Sequence, residues 1–467
     1  MVVARAAGPQ MNRRLLVLLT LACGVAVGNV YFPQTISPLV AAGLGVSPAS
    51  AALVVTAAQL GYAAGIFLLV PLGDRIRHRP LVLTLLGITG LALLAACAAP
   101  ALPPLVGASA LVGVTTVVAP VIGPMAANLT ADDRRGMVSG TLLSGSIGGM
   151  LLSRTVAGTV SEWWGWRAPY LTAAVSVLLI AVALARVLPA TRPPSGHRYP
   201  ALLAESLRLL RTERDLRRSC FYQATVFAGF SAVWTTVALL LTGPAYGLGA
   251  PAVGLLALVN AATMLCTPVA GRQVDRRGSD AVNRICLLGV IASAVVLAFG
   301  GLGGVGGLAA LVLGTLLLDV GMQSGMVANQ VRIYALRPDA RSRLNTAYMT
   351  CAYLGGSLGS WVGAPAYARL GWLGVCGLLT LLAAAALAHH LTTAPSGGHP
   401  RPRPRRPAAA AAPGSRLTAT ALPSPLPTAA VAVGPLSAAA AAPPATRPGP
   451  VGERRPEDRR RYRHRHG

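Results

Sequence analysis

Residues 71–79 read Pro71-Leu72-Gly73-Asp74-Arg75-Ile76-Arg77-His78-Arg79, and residues 271–278 read Gly271-Arg272-Gln273-Val274-Asp275-Arg276-Arg277-Gly278. Both are short, arginine-rich loops with an Asp-Arg pair, and both lie between long apolar blocks. Working outward from them, such blocks fall near 15–40, 50–70, 80–99, 104–128, 137–160, 168–188, 219–242, 251–270, 281–301, 308–331, 344–366 and 372–390. Each has roughly the twenty residues that a helix rising 1.5 Å per residue needs to cross about 30 Å of hydrocarbon. Twelve transmembrane helices are therefore expected. The two loops follow the second and eighth blocks, which are equivalent places in a duplicated six-helix unit. Two further matches support the duplication. Gly165-Trp166 precedes the sixth block as Gly371-Trp372 precedes the twelfth, and Gly148-Gly149 in the fifth matches Gly355-Gly356 in the eleventh.

Composition agrees. Of 467 residues, 54% are hydrophobic and 12% charged, half the charge content of an ordinary soluble domain. The formal charge of +26 would suggest nucleic acid in a soluble chain, yet all the basic residues are arginines and most flank an apolar block or lie in the tail. That placement argues against a nucleic-acid role and sets the topology. One set of loops holds Arg75, Arg77 and Arg79; Arg134 and Arg135; the stretch from Arg186 to Arg218; Arg272, Arg276, Arg277 and Arg284; and Arg332, Arg337, Arg341 and Arg343. The alternate loops near 41–49, 100–103, 243–250 and 301–307 carry no charge, and only Glu162, Arg167 and Arg369 interrupt that side. A multi-pass protein of a bacterial inner (plasma) membrane with both termini in the cytoplasm is expected, its arginines attracting anionic lipid.

The domain expectation is a cytoplasmic N-terminus over 1–14, a six-helix bundle over 15–188, a central cytoplasmic linker over 189–218, a second bundle over 219–390 and a disordered Pro/Ala/Arg-rich tail over 391–467. Arg13 and Arg14 before an apolar run resemble a signal peptide, but the run outlasts a signal core and further spans follow. The seven cysteines show no metal-ligand or C-x-x-C spacing and read as small buried hydrophobes. A phosphate-binding loop and H-E-x-x-H are both absent, so the expectation is no enzyme, no metal and no cofactor, with a proton gradient as the energy source.

The loop repeat resembles the signature of the major facilitator superfamily, Gly-x-x-x-Asp-Arg-x-Gly-Arg-Arg, and the resemblance covers roughly residues 12–390. The second copy keeps Gly271, Asp275, Arg276 and Gly278; the first keeps Asp74, Arg75 and Arg79, with Val70 and Arg77 where glycines are usual. Arg341 to Thr346 and Gly165-Trp166-Arg167 look like the drug and metabolite exporter branch. The resemblance implies an all-α major facilitator fold of two six-helix pseudo-repeats, a central cavity lined by the first, fourth, seventh and tenth helices, alternating access, a monomer, and a small-molecule substrate. Two features of that branch are missing. The fourth block has Ala108 and Ser109 where an embedded arginine is usual, and the fifth has Gly145, Gly148 and Gly149 without a Gly-Pro pair.

Two charges fall inside apolar blocks. Asp319, in Leu316-Leu317-Leu318-Asp319-Val320-Gly321, lies near the middle of the tenth, where a carboxylate is expensive to keep charged; it is the proton-coupling candidate or a structural partner for a donor. Arg154 lies in the fifth, roughly 9 Å beyond its middle, and is a gate, an anchor for an anionic substrate group, or one half of an ion pair. Asn29, Tyr31, Gln34, Gln59, Gln223, Trp234, Asn260, Gln323, Asn329 and Gln330 are substrate-cavity candidates, with interhelical bonding as the alternative for each. The leading expectation is export of a small amphipathic compound by proton antiport. Proton-coupled or facilitated nutrient uptake, and a transporter-like sensor, are the alternatives.

Overall fold

Hydrocarbon offers backbone groups no hydrogen-bond partner, so a chain this apolar satisfies them within each segment. The computed structural model describes residues 11–130, 134–189, 198–337 and 340–393, and no strand occurs among them. The first seven spans are Arg13–Leu44, Pro48–Asp74, His78–Cys97, Leu102–Ala126, Arg135–Trp164, Ala168–Val187 and Arg214–Thr242. The eighth is bent by 43° between Ala250–Thr263 and Pro268–Arg277, and Ser279–Leu302 and Gly304–Leu336 are the ninth and tenth. The helical run Arg341–Thr393 has 53 residues, about 80 Å at 1.5 Å per residue, far more than one bilayer. It breaks at Gly371, whose φ of 64° and ψ of −161° lie where a side chain is rarely tolerated. The eleventh and twelfth spans lie on either side, completing the expected twelve.

Several helices outrun their apolar blocks. The seventh begins at Arg214, inside the stretch assigned to the linker, and the eighth continues to Arg277. Arginine-rich turns extend a helix into the headgroup region, where apolarity no longer marks it. The linker forms the helix Tyr199–Thr212. Its Tyr199 hydroxyl donates to the Leu68 carbonyl at 2.7 Å, and Arg343 pairs with Glu205 at 2.6 Å. Residues 1–10 and the tail beyond 393 lie outside the described residues.

The duplication is visible in how the helices touch. Gly149 and Ser153 of the fifth span pack on Gly24 and Gly28 of the first, and Gly355 and Gly359 of the eleventh pack on Ala224 and Ala228 of the seventh. A Cβ on Gly149 would stand 2.0 Å from the Gly24 carbonyl oxygen, and one on Gly355 would stand 2.2 Å from that of Ala224. Small residues let these backbones meet where no hydrophobic effect drives helices together. Trp166 and Trp372 are buried at matching places. The outer faces keep large side chains such as Leu91, Leu179, Leu313 and Leu381 exposed, as lipid contact requires. All seven cysteines are free; Cys23, Cys220, Cys286 and Cys376 are buried and the others partly so.

Between the halves, the second span packs on the eleventh and the fifth on the eighth. The fifth–eighth contact is carried by Ala250–Asn260, toward the uncharged end, where the Thr155 hydroxyl donates to the Gly254 carbonyl at 2.8 Å. The other piece of the eighth, Cys266–Arg277, packs instead on the ninth and tenth spans. The halves are thus closed at the uncharged end, and the eighth span leaves the fifth toward the arginine-bearing end.

Candidate functional site

Along the seventh span Phe227, Phe230 and Trp234 recur at helical spacing, so one aromatic face of the second half looks toward the first. Trp234 is completely buried and uses both of its chemistries. Its indole N–H donates to Asp319 Oδ1 at 3.2 Å, and its ring lies 4.1 Å from the Arg154 guanidinium. Arg154 also sits 5.2 Å from the Tyr31 ring and 5.9 Å from Phe230, and its Nη2 donates to Gln34 Oε1 at 2.7 Å. The fifth span therefore supplies a cation, held by Gln34 and Tyr31 of the first, and the tenth a carboxylate, with the indole of the seventh in contact with both.

Arg154 and Asp319 are both 0% exposed. No ion pair within 4.0 Å joins them, and their hydrogen bonding is incomplete: Arg154 Nε and Nη1 and Asp319 Oδ2 have no hydrogen-bond partner among the described residues. A desolvated cation–π contact contributes about 2 kcal/mol, and a hydrogen bond to a charged group about 1.5–3 kcal/mol. Burying one ion costs several kcal/mol. The contacts present are of the same order as that cost and leave two donors and one acceptor open among the described residues.

All but one of the remaining candidates are held in bonds between helices. Gln59 donates to Ser231 at 2.8 Å and accepts from Ser231 and Ser360, tying the second span to the seventh and eleventh. Tyr348 donates to Gln223, Asn260 to Thr315, Gln323 to Thr263, and Asn283 to Asn329. Asn29 reaches Thr116 at 3.4 Å, while Gln330 is half-buried. Tyr31 shares a 2.9 Å hydroxyl contact with Tyr353, which also meets Tyr62 and Phe227 edge-on. Phe230 is invisible to sequence reading because it carries no polar group, and Tyr353, with the same hydroxyl as Tyr31, is marked only by its contacts with Tyr31 and Tyr62. A separate crevice of about 400 Å³ lies among the first, fifth and sixth spans, lined by Gly24, Gly28, Gly149, Leu152 and Val156, away from the charged pair.

The family model of the Major Facilitator Superfamily matches residues 17–312. The chain belongs to the major facilitator superfamily. It is 36% identical over 367 residues to the putative uncharacterized transporter YgaY of Escherichia coli K12, covering 79% of this chain and 92% of that protein. It is 34% identical to the probable transporter SCO4007 of Streptomyces coelicolor, covering 78% and 84%. Among solved structures, a point mutant of the nucleoside transporter NupG superposes with a TM-score of 0.66 at 12% identity, covering 82% of this chain and 99% of that one. The shared fold is the major facilitator fold, and the protein is a multi-pass membrane transporter.

Within that fold the signature loops are not equally engaged. Arg79 donates to the Ala185 carbonyl at 2.7 Å, and Asp74 and Arg75 close the second span. Gly271 lies within the last stretch of the eighth span, and Gly278 ends it, with a φ of 82° and its N–H on the Val274 carbonyl. Asp275 and Arg276 are exposed, and their side chains make no hydrogen bond or ion pair among the described residues. Among the described residues, ion pairs at the arginine-bearing end include Arg218 and Arg332 sharing Asp280, and Arg343 with Glu205 of the linker helix. Among the described residues no hydrogen bond, ion pair or ring contact joins the fourth span, expected to line the site, to the charged pair, and the fifth supplies one of its members.

Proposed function

We propose that this transporter exports a small amphipathic compound in exchange for protons, with Asp319 as the proton carrier. The observation that carries the reading is the unpartnered Oδ2 of Asp319, mid-membrane and across an indole from a buried arginine. A carboxylate in that position is held by one N–H and has one oxygen left for a proton or a substrate group. The closed uncharged end and the departure of the eighth span toward the arginine-bearing end support an inward-facing form, with arginines on the cytoplasmic side. Alternating access then rocks the halves about the Arg154–Trp234 contact. Direction outward is supported by the exporter-like motifs and by 30% identity over 192 residues to multidrug resistance protein D of Escherichia coli, which spans 40% of this chain and 48% of that one.

Purified protein in proteoliposomes under a pH gradient, challenged with candidate solutes, tests this. Solute-dependent proton movement is expected from the native chain and is lost in Asp319→Asn. Unchanged proton movement in that variant would assign Asp319 a structural role.

A further inference from the structure

The pair at the centre of the molecule presents one unpartnered carboxylate oxygen and two unpartnered guanidinium nitrogens, all fully buried. A solute with only an ammonium would answer Asp319 and leave Arg154 short of acceptors. A solute with only a carboxylate would answer Arg154 and crowd a second negative charge against Asp319. We propose that the substrate is a zwitterion, an α-amino acid with a bulky apolar side chain, whose ammonium binds Asp319 Oδ2 and whose carboxylate binds Arg154.

The spacing suits that class. The two charges stand further apart than an ion pair, and the indole bridging them takes a 3.2 Å bond at its nitrogen and a cation 4.1 Å above its ring. An α-amino acid carries its ammonium and carboxylate on one carbon, so it can hydrogen-bond two charges that do not meet each other directly. The apolar side chain is met by Tyr31 and Phe230, the other rings around Arg154. This substrate class rests on the proton-exchange reading and deepens it. An ammonium on Asp319 occupies the place of the proton, so the two exclude each other, as exchange requires.

Binding to the purified full-length chain in nanodiscs, by titration calorimetry, separates the possibilities with three matched sets. These are zwitterionic phenylalanine, tryptophan, tyrosine, leucine and methionine; their methyl esters, which keep only the ammonium; and their N-acetyl forms, which keep only the carboxylate. At least one zwitterion is expected to bind, with both of its blocked forms at least about tenfold weaker, because a buried charge left unanswered rejects the analogue that lacks its partner. Asp319→Asn is expected to bring the zwitterion down to the level of its N-acetyl form, and Arg154→Gln to that of its ester. An ester or N-acetyl form binding as tightly as its zwitterion would overturn the proposal, as would no binding by any of the five amino acids. Proton movement driven in proteoliposomes by other solutes would then leave the exchange reading standing without this substrate class.

Discussion

Trp234 holds the centre of the site, because it joins the two buried charges through different parts of one side chain. Trp234→Phe keeps a ring for Arg154 and removes the N–H from Asp319. Transport is expected to fall severalfold and stability by about 1.5–3 kcal/mol for the lost hydrogen bond to a charged group, as seen by solute flux and a thermal melt in parallel. Trp234→Ala removes both contacts and leaves a cavity, and is expected to cost about 3–5 kcal/mol of stability. Native flux in Trp234→Phe would mean that the N–H does no separate task. Asp319 and Arg154 are legible in the sequence because a charge within an apolar run stands out. Trp234 is only one of ten candidates there, since its significance comes from contacts with residues far along the chain. Gln59 shows the opposite case: a polar side chain in a span, yet one that Ser231 and Ser360 satisfy between helices.

At the level of elements, the twelve spans are legible from apolar length and the loop asymmetry, whereas helix ends are not. The Arg214 start of the seventh span is polar sequence and helical only by extension into the headgroups. The glycine pair of the fifth span is legible as a repeat but not as a contact, and its two members differ. A Cβ on Gly149 meets the Gly24 backbone, while one on Gly148 meets nothing within 4 Å. Gly149→Val is expected to lower the melting temperature by several degrees, consistent with an overpacking cost of about 1–3 kcal/mol or more. Gly148→Ala is expected to melt within a degree or two of the native chain, a change of about 0.5 kcal/mol or less where the new methyl meets no neighbour. Equal destabilisation by the two would contradict the packing described for the first and fifth spans.

In the whole molecule, two pseudo-repeats close at the uncharged end, and the proposed cycle rocks them around the buried pair. Thr155 and Gly254 face one another across that closure. Cysteines at both positions are expected to form a disulfide under mild oxidation and to stop flux until reduced, with flux read against Gly254→Cys alone, a variant whose Cβ would stand 2.7 Å from the Thr155 Cα and which is expected to lower the melting temperature. Cross-linking without loss of flux would mean that this end need not open. Proton exchange through Asp319 is tested best by separating substrate movement from proton coupling. Solute counterflow, exchange across the bilayer with no pH gradient and at saturating solute, is measured beside gradient-driven accumulation for the native chain and Asp319→Asn. The variant is expected to keep counterflow and lose driven accumulation; driven accumulation at the native level would contradict a carboxylate that carries the proton.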